Sequence, residues 1–195
     1  YPNNEELLLA GSKIEKEEGE YNRARILLSR ARNETPSVRV MIKSITIERL
    51  DGCLVDAMNL LNEGRKLYIK SDKIWIMSIQ TQIDYYNQIR NNNNATDDNN
   101  NLNFVPMSIR NLCNESLIHC PNSIPLWLLA CKIEEKEAGI IRARSMLEIG
   151  RQKNSSSDDL WLHAINLEIR SNNIQMAETL MSKALISCPS SGLLA

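Results

Sequence analysis

Residues 124–150 read IPLWLLACKIEEKEAGIIRARSMLEIG. Around Trp127 the residues Leu126, Ala130, Cys131 and Ile133 return at helical spacing, and Lys132, Glu135 and Lys136 fall on the opposite side, which predicts an amphipathic helix. Gly139 breaks the pattern, and the same period resumes from Ile140 to Gly150 with Ala143, Leu147 and Gly150 on one stripe. So short a link forces the two helices antiparallel. The small residues let the backbones approach while Leu147 fills the groove beside them.

Working outward, the same hairpin recurs. Trp161 stands 34 residues after Trp127, and Trp75 precedes Trp127 by 34 residues plus an insertion of 18. Ala24, Ala57, Ile109, Ala143 and Ala177 share the first place in the second helix. Four residues on come Leu28, Leu61, Cys113, Leu147 and Met181, and seven on come the small Ala31, Gly64, Ser116, Gly150 and Ala184. Pro36, Pro121 and Pro189 close three units, while Ile69 and Ser155 hold that place in the others. There, turn residues with Ser71 or Asp72, and Asp158, as helix caps take over the break. A period near 34 of this kind predicts an all-α, right-handed α–α superhelix of about five hairpins, each unable to bury its faces alone. The units run about 5–36, 38–70, 73–121, 125–154 and 159–189.

The third unit carries an Asn-rich insertion at 87–103, with too few apolar residues to offset the entropy of ordering, so a disordered loop is expected. Neither end shows a polar capping repeat: Leu8 takes the Trp place in the first unit, and Ala195 falls where a sixth Trp would stand. The array is therefore expected to be a fragment of a longer solenoid.

Composition narrows the function. The 195 residues carry 23 Lys+Arg against 24 Asp+Glu, so general phosphate binding, which needs clustered basic charge, is not advertised. Five cysteines without paired spacing read as reduced thiols. No run of about 18 apolar residues predicts a membrane span.

One register position separates two repeat families. Tetratricopeptide repeats place Tyr seven residues after the Trp; here that place holds Glu15, Glu48, Gln82, Glu134 and Glu168. An acid there, with the Ala and Pro spacing kept, resembles the half-a-tetratricopeptide (HAT) repeat. The stretch from Cys120 to Leu129, with Glu134-Glu135-Lys136 and Arg142-Ala143-Arg144, and the stretches Leu160-Trp161-Leu162, Ala177 to Leu185 and Cys188-Pro189, are similar to the pre-mRNA-processing factor six family of splicing proteins. That resemblance implies a nuclear, non-catalytic scaffold that helps assemble or bridge the spliceosomal tri-snRNP through snRNP proteins. It implies no cofactor, membrane or small-molecule substrate, and any RNA contact is expected to be indirect. The alternatives are an RNA-binding HAT array, for which Arg23, Arg25, Arg30, Arg32, Arg39 and Lys43 form the dense basic candidate, or a HAT scaffold of 3′-end cleavage or ribosomal RNA processing.

The remaining candidates read as structure. Each repeated Glu is expected to pair with a cation or backbone donor inside its own hairpin, Glu134 with Arg142 or Arg144. His119, Cys113 and Cys120 lack the four ligands in short paired spacings that structural zinc uses. Trp75, Trp127 and Trp161 sit in the core register rather than as base-stacking platforms. No phosphate loop, nucleophile elbow or HExxH is present, so no residue is assigned a catalytic, cofactor or metal role.

Overall fold

The first helix, α1 (Glu5–Glu17), begins at Asn4, whose side chain accepts hydrogen bonds from the amides of Glu6 and Leu7. Ser37 opens α3 (Val38–Leu50) and Ser157 opens α9 (Asp158–Arg170) in the same way. Each oxygen satisfies an amide that a helix start leaves without a partner. At α9 the cap is therefore Ser157, and Asp158 lies in the first turn, where its charge favours the positive end of the helix dipole.

The computed structural model describes residues 4–92 and 107–188. The other elements are α2 (Tyr21–Glu34), α4 (Leu54–Leu67), α5 (Asp72–Asn92), α6 (Met107–His119), α7 (Ile124–Ala138), α8 (Ile140–Lys153) and α10 (Ile174–Ser187). The start of α5 at Asp72 leaves Ser71 at the capping place. The Asn-rich tract is helical further than its composition suggests: α5 continues to Asn92, so residues 87–92 extend an existing helix, for which adding a residue is cheap once nucleation is past. Residues 93–103 of the tract lie outside the described residues, as does Pro189.

The chain divides into two compact units, Tyr1–Asp98 with α1 to α5 and Asn99–Ala195 with α6 to α10. Both are built from antiparallel hairpins stacked in chain order, an all-α helical-hairpin solenoid. Within a hairpin the chain reverses through one left-handed residue: Gly19 (φ 79°), Gly52 (φ 80°) and Gly139 (φ 80°), with Asn172 (φ 59°) in the last hairpin. Glycine, and less readily asparagine, tolerates this region without a Cβ clash.

In the first unit, Leu8, Leu9, Ala24, Leu28, Ala31, Val40 and Ile47 join α1, α2 and α3 in one cluster. Met41, Ile45, Leu61 and Ile74 continue it through α3, α4 and α5. In the second unit Trp127, Ala143 and Leu147 are buried between α7 and α8, and Trp161, Ala164, Ala177 and Ala184 between α9 and α10. The small residue late in each second helix is there for the large residue opposite. A Cβ on Gly150 would lie 3.1 Å from the Trp127 ring, and one on Gly64 would lie 3.2 Å from Met41, which holds the Trp place in its hairpin.

Candidate interaction surface and the junctions that shape it

What the surface presents is set by how one hairpin seats on the next. On α2, α6 and α8 the residue after the anchor (Ala24, Ile109 and Ala143) is arginine: Arg25, Arg110 and Arg144. Each reaches the glutamate of the following first helix, on α3, α7 and α9. Arg110 donates from Nε to Glu134 Oε1 at 3.0 Å and from Nη2 to Oε2 at 2.7 Å, with the pair 24 residues apart. Arg144 makes the same fork onto Glu168 at 2.6 Å and 2.6 Å, again 24 residues apart. Arg25 donates to both oxygens of Glu48 at 2.9–3.0 Å, 23 residues on, and also to Asp51. A planar guanidinium matches a carboxylate through two parallel bonds, so each pair fixes angle as well as distance.

The electrostatics follow from the geometry. The hydrogen bonds to Glu48 and then to Asp51 raise Arg25 well above the usual guanidinium range, and the one to Glu168 raises Arg144. Asp51 is held below the usual carboxylate range chiefly by its bond to Arg25. Glu168 also accepts from Asn173 Nδ2 at 3.2 Å, so its buried oxygens have further donors.

The expectation of bonds inside each hairpin holds only in part, since within-hairpin contacts such as Arg142–Glu134 exist but the forked partners come from the preceding hairpin. Glu134 takes its forked partner from α6, in the preceding hairpin, and Arg142 approaches only to 3.8 Å while remaining largely exposed. Arg144 is committed to Glu168 of the next hairpin instead. The reason is directional: the anchor face of a second helix packs under the next first helix, so an arginine beside the anchor points across the junction. A signal for this was present. Where the acid is replaced by Gln82, the residue 24 positions earlier is Met58 rather than arginine.

The tryptophans sit near the start of α5, α7 and α9, at the α4–α5, α6–α7 and α8–α9 junctions. Trp75, Trp127 and Trp161 are buried, and their indole N–H groups donate to the carbonyls of Ile69 (2.7 Å), Pro121 (2.8 Å) and Ser155 (3.2 Å), each six residues earlier. Those acceptors occupy the closing-proline place. Since the group used is a backbone carbonyl, Ile or Ser serves as well as Pro. Arg65 and Arg151 lie over the rings of Trp75 and Trp161, at 5.5 Å and 4.4 Å from the centroids.

Ala24, Ala57, Ala143 and Ala177 are buried anchors, whereas Pro36 is exposed and Pro121 is half-buried. Cys113 and Cys131 are buried thiols pushed up to about 12 and about 11, mainly by burial, and all five cysteines are free. Among the described residues, side chains with metal-ligand atoms gather at Glu48, Cys53 and Asp56, not at His119 with Cys113 and Cys120. Glu48 is already bound through both oxygens by Arg25, which leaves that group poorly suited to a cation.

Over each pair lies an open groove. The one above Glu134 has a volume of about 320 Å³ and is lined by Met107, Arg110, Arg142, Met146 and Ile149. Counterparts lie over Glu48, about 230 Å³, and over Glu168, about 130 Å³. Within the second unit, the grooves over Glu134 and Glu168 are shallow, mixed apolar and charged troughs one repeat apart, which suits an extended partner gripped at more than one point.

No family model matches the chain. Pre-mRNA-splicing factor prp1 of Schizosaccharomyces pombe is 45% identical over 69 residues, which is 35% of this chain and 8% of that protein. Pre-mRNA-splicing factor 6 of Saccharomyces cerevisiae is 39% identical over 75 residues, 38% of this chain and 8% of that protein. Over a little more than a third of its length the chain is thus similar to splicing factors of this kind, in keeping with a HAT-repeat region. Each match takes in under a tenth of the relative's own length. In structure, the HAT region is similar to a thermophilic TPR protein of Thermus thermophilus, with TM-score 0.56 and 15% identity over 96% of this chain and 93% of that one. A tetratricopeptide repeat protein of Parabacteroides merdae gives TM-score 0.59 and 16% identity over 96% of this chain and 68% of that one. At such identities the likeness concerns the fold of the HAT region alone.

Proposed function

We propose that this HAT region is a non-catalytic protein-interaction scaffold of the nuclear pre-mRNA splicing machinery, which helps assemble or bridge the tri-snRNP by holding snRNP proteins against its grooves. The observation that carries the reading is the 45% identity over 69 residues to a splicing factor, in a chain whose buried Glu134 and Glu168 clamp one repeat to the next. Rigid junctions keep neighbouring grooves at fixed spacing, so several weak contacts to one partner add up without a large ordering cost. Direct RNA binding draws little support from the basic cluster of the first unit. Arg25 is clamped by Glu48 and Asp51, Arg30 pairs with Glu34, and Arg23 lies beside Glu15 and Glu20.

The test is crosslinking mass spectrometry on the tagged full-length protein in nuclear extract. Crosslinks from the groove-facing helices to snRNP proteins are expected, and recovery of no splicing protein would overturn the reading. RNA-dependent crosslinks that vanish on nuclease treatment, with gel shifts that weaken steeply with salt, would replace the scaffold by an RNA-binding array.

A further inference from the structure

A forked pair floors each of the three grooves, but the charge left over differs among them. Around the groove over Glu168, Arg144 and Arg151 face Glu148 and Glu168; in the first unit, Arg25 and Arg32 are matched by Glu48 and Asp51. Around the groove over Glu134, Arg110 and Arg142 face Glu134 alone. The fork from Arg110 takes both oxygens of that carboxylate. Arg142 Nη1 therefore stays 3.8 Å from Oε2, beyond hydrogen-bond reach, and its side chain is 63% exposed. Among the described residues, the side chains of Arg142, Asn111, Asn114 and Ser145 around this groove make no hydrogen bond. The apolar part of the lining is open too: Met107 is 59% and Ile149 42% exposed, with Met146 half-buried beside them.

We propose that the groove between α6 and α8 binds a short extended segment of another protein that carries a carboxylate and, about three residues from it, an aliphatic side chain. Arg142 is the surplus cation, and a guanidinium grips a carboxylate through two parallel bonds. Met146 and Ile149 receive the aliphatic group. From Arg142 to Ile149 is seven positions on α8, roughly 10 Å of helix rise, which about three residues of extended chain span. Asn111, Asn114 and Ser145 favour an extended occupant over a helical one, because their amides and hydroxyl need peptide groups that a helix has already paired with one another. A nucleic acid strand fits less well. Its phosphates need a track of cations and its bases flat aromatic faces, whereas here one surplus arginine is flanked by thioether and aliphatic side chains. The inference rests on the scaffold reading in that the groove receives a protein, and it adds the chemistry of that partner.

The test is selection of short random peptides displayed on phage against the full chain, followed by fluorescence anisotropy with the recovered peptides. Their expected common feature is Asp or Glu about three places from Leu, Ile, Val or Met. Arg142→Glu and Ile149→Asp, both at exposed positions, should each weaken binding by at least about tenfold. A peptide with Lys in place of its acid should bind Arg142→Glu better than the unchanged chain. Arg142→Gln, which only removes the charge, should weaken binding in the same direction and keeps the test valid where the reversed charge upsets α8. Recovery of no peptide, peptides without the acid, or binding indifferent to positions 142 and 149 would overturn the proposal. So would an RNA oligomer that displaces the peptide and loses its own binding in Arg142→Glu. Such a failure leaves the scaffold reading standing where crosslinks to snRNP proteins persist, and peptide binding without those crosslinks would remove the splicing reading alone.

Discussion

The α2–α3, α6–α7 and α8–α9 junctions close on an arginine and a glutamate, whereas α4–α5 places Met58 and Gln82 at the same two positions. The contact stripe is equally buried in both kinds, Val40 with Ile47 and Ile74 with the polar Thr81. Burial therefore supplies the common adhesion, and the ion pair supplies register and partner choice. This division fits general experience: replacing a buried pair with apolar groups is often tolerated, whereas breaking one by removing a single partner is not.

The largest effects should fall on what the two kinds of junction share. Trp127→Ala and Trp75→Ala should each cost about 3–5 kcal/mol in urea unfolding, since both remove a buried indole and leave a cavity. A large difference between them would mean that the charged junctions carry adhesion of their own. Next comes the ion pair: Glu168→Ala should cost about 2–3 kcal/mol by leaving Arg144 beside an empty site, while Gln82→Ala should cost less than about 1 kcal/mol. Combining Arg144→Met with Glu168→Gln, which copies the α4–α5 arrangement, should recover most of that loss in the same unfolding assay.

Smaller effects sharpen the contrast. Gly150→Ala presses a methyl against the flat Trp127 ring and Gly64→Ala against the pliable Met41, so the first should be less stable than the second by about 1 kcal/mol in thermal melts. The exposed pairs Arg49–Asp84 and Glu135–Arg170 link first helices 35 residues apart with their charges exchanged. Removing either member should shift stability by less than about 1 kcal/mol, and less still in high salt. At α2–α3 the depressed Asp51 carboxyl adds stability at pH values above the ordinary carboxylate range. That stability is lost as the pH falls through the depressed value, so Asp51→Asn should flatten this part of an acid unfolding curve.

Much of the fold was legible because helical hairpins are local. The spacing of Trp127, Ala143 and Leu147, and the breaks at Gly139 and Pro121, rest on contacts within about 30 residues, and such contacts leave a periodic imprint. The Asn-rich tract was only partly legible: composition marks where a helix gains nothing by packing, not where an established helix frays, so α5 reaches Asn92. The forked clamp is hidden from the sequence for a different reason. Glu134 has Arg142 and Arg144 nearby in sequence and Arg110 on the previous hairpin, and proximity along the chain points to Arg142, which makes only the long 3.8 Å contact, rather than to Arg110, which makes the fork.

From residue order alone came the repeat, the hairpins, the buried tryptophans and the likeness to a splicing-factor HAT region, because each depends on patterns that recur along the chain. Only the tertiary structure decided that every forked clamp joins one hairpin to the next, and that Glu15 among the repeated glutamates keeps a buried oxygen without a hydrogen bond. Side-chain pairing across a junction depends on how two helices cross and which faces meet, and that geometry is set by packing in three dimensions rather than by separation along the chain.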